Sequence, residues 1–285
     1  DALQYETEAK NSAAKLAKMR PESAHWFDFA KYAKDADPYA YSENKIAVIY
    51  AMGEIMPGKQ NPNEQIGSKS FINQLHKAQK DASIKAIVIR INSPGGSAFA
   101  SDEMAHEIIA CKKIKPVIVS FGDVSASGGY YMGCVADSIF ALPNTITGSI
   151  GVFGVMPNAQ KLLSEKLGVS IDTVNTNKHS DVGTMYREVT EVERQYVQQG
   201  VEDVYKTFIS RVAEGRKISV SQVDSIGQGR VWSGTDALRI KLVDELGGLD
   251  KAMAYAAEKA KLKTGDYSVE ILPKKKSPLE MFLKT

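Results

Sequence analysis

A serine does nucleophilic chemistry only when something aims its hydroxyl and something holds the charge that its attack creates. The stretch Asp123-Val-Ser-Ala-Ser-Gly-Gly-Tyr-Tyr131 has the residues for this. Ser127 follows an apolar, β-branched run at 116–121, and the residues at 130–136 can start a helix. On such a strand-to-helix bend a side chain is exposed. The two glycines behind it allow close backbone approach, and the first helix amides point at whatever sits there. A second loop, Asn92-Ser-Pro-Gly-Gly-Ser97, repeats the design after the buried-strand pattern at 86–91. Two such turns, side by side in a parallel sheet, can pool backbone N–H donors around one hydroxyl. The chemistry outlined is acyl transfer. Ser127 Oγ attacks a carbonyl, and the oxyanion is held by the N–H of Gly96 and of Gly128, with Gly95 the neighbouring possibility. The plain alternatives are an N-cap for Ser127 and turn geometry for the glycines.

The elements that must position these loops are legible from periodicity. Strands are expected at 45–51, 53–56, 86–91, 116–121, 138–142, 168–174 and 267–272. Helices are expected at 6–19, 70–80, 101–111, 192–218, 221–226, 233–239 and 249–263, with 58–67 a surface loop. Units of strand, strand and helix indicate an α/β fold with right-handed crossovers. The organisation expected is a helical arm and linker over 1–44, a serine-bearing domain over 45–265, and a C-terminal strand and basic tail over 266–285.

Composition excludes several classes. The 285 residues carry a net charge of +2, which gives no warrant for nucleic acid as a partner. No apolar run reaches the roughly 20 residues that cross a bilayer, and no signal peptide opens the chain. The first residue is Asp, so a mature, truncated or proteolysed product is expected. No His/Cys/Asp/Glu cluster has metal-ligand spacing and no phosphate-binding glycine loop is present, so no metal and no cofactor are expected. Cys111 and Cys134 are too few for a disulfide framework and are read as buried thiols.

Five motifs in order give the chain a resemblance: Asn92-Ser-Pro-Gly-Gly-Ser97, Ala126-Ser-Gly-Gly-Tyr-Tyr131, Thr147-Gly-Ser-Ile-Gly-Val152, Gly229-Arg-Val-Trp-Ser-Gly234 and Leu242-Val-Asp-Glu-Leu-Gly-Gly248. From about Ile46 onward the sequence resembles the signal peptide peptidase A serine proteases, within the Clp protease and crotonase superfamily. The resemblance implies a ββα superhelix with flanking helices and makes Ser127 the nucleophile. It also implies a Ser/Lys dyad, in which a buried lysine supplies the base. From Ser127 through Lys178 there is no histidine, which argues against a Clp-type triad.

In short-form members the lysine follows the serine by about fifty residues in the same chain. The corresponding segment here is Asn175-Thr-Asn-Lys-His-Ser-Asp-Val-Gly183, and matching Asp181-Val-Gly183 to the family pattern puts Ser180 at the base position. Lys178 is two residues off, nearly 7 Å along a strand, and His179 points the other way. The reading is therefore a C-terminal half of a long-form member, completed by a lysine from a homologous N-terminal half. Lys178 is the base if the chain is self-contained. The resemblance further implies oligomers on the periplasmic or extracellular face of the bacterial cytoplasmic membrane, degrading cleaved signal peptides or other unfolded apolar segments. Two other readings stay open: a crotonase-like acyl-CoA enzyme, which would use the same amides without a nucleophile, and a non-catalytic half that only builds the oligomer.

Overall fold

The computed structural model describes residues 6–16, 18–20, 42–59, 65–263 and 265–273. Of the helical arm and linker expected over 1–44, residues 21–41 lie outside the described residues, as do residues 274–285 of the strand and basic tail expected over 266–285. The chain divides into two compact units, Asp1–Ala40 and Tyr41–Thr285. In the first, α1 spans Glu6–Leu16.

The second unit is built on a parallel sheet. Its strands are β1 (Lys45–Met52), β4 (Ile84–Ser93), β5 (Val117–Ala126), β6 (Ser138–Ala141), β9 (Glu245–Leu246) and β10 (Ser268–Leu272), in the order β10-β1-β4-β5-β6-β9. Two short strands, β2 (Glu54–Met56) and β3 (Gln65–Gly67), form a separate parallel pair. The strand β7 (Ile146–Gly148) pairs with the last three residues of β5, and β8 (Val231–Ser233) pairs antiparallel with β7. The helices are α2 (Ser68–Lys80), α3 (Ala98–Lys112), α4 (Gly128–Gly133), α5 (Glu191–Arg216), α6 (Val220–Ile226), α7 (Gly234–Arg239) and α8 (Leu249–Lys259). The expected α/β class, with ββα units and flanking helices, is the one the chain adopts.

The central strands are apolar on both faces because helices cover both. Ile87, Val88 and Ile89 of β4 and Val117, Ile118 and Val119 of β5 are all fully buried. The C-terminal strand β10 is an integral part of this sheet, pairing in register with β1 from Lys45↔Ser268 to Ile49↔Leu272. Gly215 of α5 lies against the C-terminal end of α4 so closely that a Cβ there would stand 2.2 Å from the Cys134 carbonyl oxygen. That contact sets the depth at which the C-terminal half of α5 docks, together with buried Phe208, Ile209 and Val212.

Residues 168–174, read as a strand, pair with no strand among the described residues. Val169, Ile171 and Val174 are 45%, 46% and 99% exposed. The alternation in Gly168-Val-Ser-Ile-Asp-Thr-Val174 is that of a strand, but a strand exists only with a partner, and this segment has none among the described residues. The 58–67 segment expected as a surface loop ends in β3, because Gln65–Gly67 pairs with Glu54–Met56, and the short strands β7, β8 and β9 have no apolar run long enough to predict them; the remaining departures are of length. β5 runs on to Ala126, and α3 starts at Ala98 because Ser97 caps it.

Candidate active site

The turn that carries Ser127 is made by a change of partner along β5. Its first half pairs with β6, from Ile118↔Ser138 to Ser120↔Phe140, and its last three residues pair with β7, from Val124↔Ile146 to Ala126↔Gly148. Asn92 makes the switch. Its Oδ1 accepts from Val124 N–H at 3.0 Å, and Gly122 has no room for a Cβ because the Asn92 side chain would lie 2.8 Å from it. The β4–β5 register shifts at this point, between Ile91↔Phe121 and Ser93↔Ser125. Both strands therefore end together, and their two glycine loops meet at the carboxyl edge of the sheet, where open α/β sheets bind ligands.

At that edge Ser127 has φ 52° and ψ −121°, a region that non-glycine residues seldom enter and that costs on the order of 1–3 kcal/mol. It occupies the N-cap position of α4, yet its side chain makes no capping bond. Ser97, Thr190, Ser219 and Ser233, at the starts of four other helices, all accept from a backbone N–H of the first turn. Ser127 is thus not serving as a cap. Its backbone N–H is held by the Gly148 carbonyl at 2.9 Å, and the residue lines two cavities.

The second glycine corner faces it. Ile55 N–H donates to Gly95 O at 2.8 Å and Ser97 N–H donates to Ile55 O at 2.8 Å, so β2 takes up the groups flanking Gly96 and leaves the Gly96 N–H turned the other way. A Cβ on Gly128 would lie 3.3 Å from Gly96 N, and one on Gly95 would lie 2.7 Å from Gly128 N. The amides named from the sequence therefore converge beside Ser127. Gly95 and Gly96 have φ of 108° and 145°, so the corner is open only to glycine.

The larger cavity, of about 940 Å³, runs from Ser127 and the Pro94–Gly96 corner past Ser149, Gly151, Val152 and Phe153 to one face of α5. That face presents Gln198, Val201, Glu202, Tyr205 and Lys206. The smaller cavity, of about 190 Å³, is walled by Ala98, Gly128, Tyr131, Val152, Phe153 and Phe208. Tyr131 is a rigid part of that wall. Its hydroxyl donates to Asp102 at 2.7 Å, Arg211 reaches the same carboxylate at 3.0 Å, and its ring meets Phe208 with centroids 4.9 Å apart. Burial, then the Asp102 hydrogen bond, push the Tyr131 phenol well above the ordinary tyrosine range, so it stays neutral.

The segment proposed to hold a base is elsewhere. Lys178 is exposed and lines neither cavity. His179 Nδ1 is 3.0 Å from Glu193 Oε1, in a network where Arg187 bridges Glu193 at 2.8 Å and Asp181 at 2.6 Å. Arg187 first, then His179, hold the Glu193 carboxyl well below the usual carboxylate range. This network anchors the start of α5, and sequence reasoning did not identify it. Burial pushes the Cys111 thiol up to about 11 and the Cys134 thiol up to about 12, which makes both inert thiols and not nucleophiles.

Sequence reading also missed the α5 wall, because Val201 and Tyr205 fit the apolar stripe of a core-facing helix. It missed Ser149, Gln228 and Gly229 as cavity residues. Positive φ at Ser149 (47°) and Gln228 (58°) is not visible in residue type.

Taken together, a strained, uncapped serine between two converging glycine amides at the mouth of a long cleft defines the layout of an α/β serine hydrolase. Residues 109–263, more than half of the chain, match the model of peptidase family S49. The chain is 45% identical over 219 residues to Protease 4 of Salmonella typhi, covering 76% of this chain and 35% of that protein. It is 37% identical over 223 residues to the chloroplastic serine protease SPPA of Arabidopsis thaliana, covering 77% of this chain and 33% of that protein. A solved structure of a membrane-bound stomatin-specific protease mutant shares the fold, with 14% identity and a TM-score of 0.51 over 82% of this chain and 100% of that one. The chain belongs to peptidase family S49. It spans about a third of the length of Protease 4 and of SPPA.

Proposed function

We propose that this chain is the serine-bearing half of a signal peptide peptidase that works by a Ser/Lys dyad. Ser127 Oγ attacks the peptide carbonyl, the Gly96 and Gly128 N–H groups receive the oxyanion, and water releases the acyl group in a second step. The observation that carries this reading is the hydroxyl of Ser127. At a helix start where four other hydroxyls cap, this one makes no capping bond, and its residue lines the cleft.

A lysine becomes a base near neutral pH when burial disfavours its charge. Lys178 is exposed, and Lys206, which does line the larger cavity, is exposed and 3.4 Å from Asp203. The base is therefore assigned to a homologous N-terminal half, brought to Ser127 by association of the halves. That reading fits a chain covering a third of its long relatives. Replacing Lys178 by Ala in the full-length protein is expected to leave peptide hydrolysis unchanged. Loss of turnover would instead place the base on this chain.

Substrates are extended, apolar peptides such as cleaved signal peptides, which match a long cleft with an apolar side cavity. Membrane attachment and assembly into a ring or dome follow from the same family reading. No helix among the described residues is long and apolar enough to cross a membrane. A fluorophosphonate probe applied to the full-length protein is expected to add to Ser127, located by peptide mass mapping. An unlabelled Ser127 would remove the peptidase reading and favour enolate chemistry on an acyl-CoA, which needs the amides alone.

A further inference from the structure

The far wall of the cleft is a turn, braced by the Arg230 guanidinium, which reaches Gly227 O at 3.1 Å and Gln228 Oε1 at 3.0 Å, and by a phenol that takes up the Gln228 backbone. Arg230 N–H closes the turn on Gly227 O at 3.2 Å, and the two residues between them, Gln228 and Gly229, both have positive φ, at 58° and 76°. A turn with a non-glycine residue in that region needs outside support. Tyr205 of α5 supplies it: its hydroxyl accepts from Gln228 N–H at 3.2 Å and donates to Asp224 Oδ1 at 2.7 Å. The turn fits closely on both sides. A Cβ at Gly227 would meet the Tyr205 hydroxyl at 3.1 Å, and one at Gly151 would meet Gly229 Cα at 2.7 Å.

From the turn the connection to the nucleophile is short. Gly229 N–H donates to Ile150 O and Ser149 N–H donates to Arg230 O, each at 2.8 Å. One residue earlier, Gly148 O holds the Ser127 N–H. Gln228, Gly229, Ser149 and Gly151 face the same cavity as Ser127.

We infer that Tyr205 is a positioning residue for substrate: its hydroxyl fixes the Gln228–Gly229 wall against the Ser149–Gly151 backbone, so that an extended peptide finds the far half of the cleft already formed. This rests on the peptidase reading and deepens it by naming what holds the substrate. Because Gln228 is exposed, water can take over its N–H when the hydroxyl is removed. The consequence is a loosened wall and not an unfolded protein. Affinity for long peptides should suffer, since ordering a mobile wall then falls on the binding step. Reaction at Ser127 itself should not, because Gly148 O and the two glycine corners are unchanged.

The test uses the full-length protein with two substrates, a fluorogenic peptide long enough to reach the wall and a small aryl ester that occupies only the Ser127 end. Tyr205→Phe is expected to raise KM for the long peptide about fivefold to tenfold, in the range of one lost hydrogen bond. It should leave kcat, ester hydrolysis and the rate of fluorophosphonate labelling at Ser127 near wild type. Asp224→Asn, whose amide oxygen still accepts the tyrosine proton, should behave as wild type, whereas Asp224→Ala should move toward Tyr205→Phe. An unchanged KM in Tyr205→Phe, or a parallel fall in labelling and kcat, overturns the inference while leaving the peptidase reading in place. Failure of the wild-type protein to label at Ser127 removes both.

Discussion

Full-length protein carrying Ser127→Ala is expected to lose peptide hydrolysis by about 10⁴ to 10⁶-fold in kcat, the loss typical when a serine nucleophile is removed. The two cysteines and the nearest buried serines cannot take its place. Cys134 and Cys111 are buried, with their thiols pushed up to about 12 and about 11, and the neighbouring Ser125 and Ser93 are fully buried. The fold should be untouched, because the Ser127 hydroxyl makes no capping bond that alanine would remove. Ser127→Gly makes a sharper companion. It should be equally inactive, yet slightly more stable, since glycine enters φ of 52° without the penalty that serine bears. Turnover of a fluorogenic peptide and calorimetric melting of both variants check this together. Activity surviving in both would assign the chain to the scaffold role.

The second large effect is expected at the glycine corner. In Gly96→Ala the new Cβ would lie 2.2 Å from the Ile55 carbonyl oxygen and 2.8 Å from Ile55 N, on a backbone with φ of 145°. Neither atom belongs to a flexible side chain, so the loop must shift, and the Gly96 N–H shifts with it. Losing one oxyanion donor costs about 10² to 10³-fold in kcat. Because the same clash strains the bridge between Ile55 and Gly96, the protein should also melt earlier. The distinguishing measurement is made well below the melting point. There kcat should fall while KM changes little, since the donor acts on the oxyanion and not on the bound peptide. A wild-type kcat in folded Gly96→Ala would take this amide out of the proposed machinery.

The candidate site was legible where the chemistry resides in residue types that punctuate strong periodic runs. The β-branched runs ending at Ile91 and Phe121, each followed by a serine and paired glycines, mark two neighbouring strand ends of one sheet in the sequence itself. What stayed hidden depends on tertiary context. Asn92 lies inside a recognisable motif, but that its side chain redirects β5 from β6 to β7 follows only from the register. Val201 and Tyr205 keep the spacing of an apolar helical stripe, and periodicity reports which face is apolar and not whether that face meets a core or a cleft. The strand read at 168–174 failed for the complementary reason. Alternation describes a segment able to pair, and pairing needs a second strand that the described part of this chain does not supply.

The pairing of β1 with β10 carries a consequence for how the molecule is made. Lys45 and Glu270 form an ion pair at 2.9 Å across a sequence separation of 225 residues. During synthesis β4 reaches one flank of β1 early, but the opposite flank keeps its hydrogen-bonding groups bare until the ribosome has released residues 268–272. Between the synthesis of β1 and that of β10, then, the nascent protein displays an apolar template for unwanted association. A late, distant strand is what finally closes it.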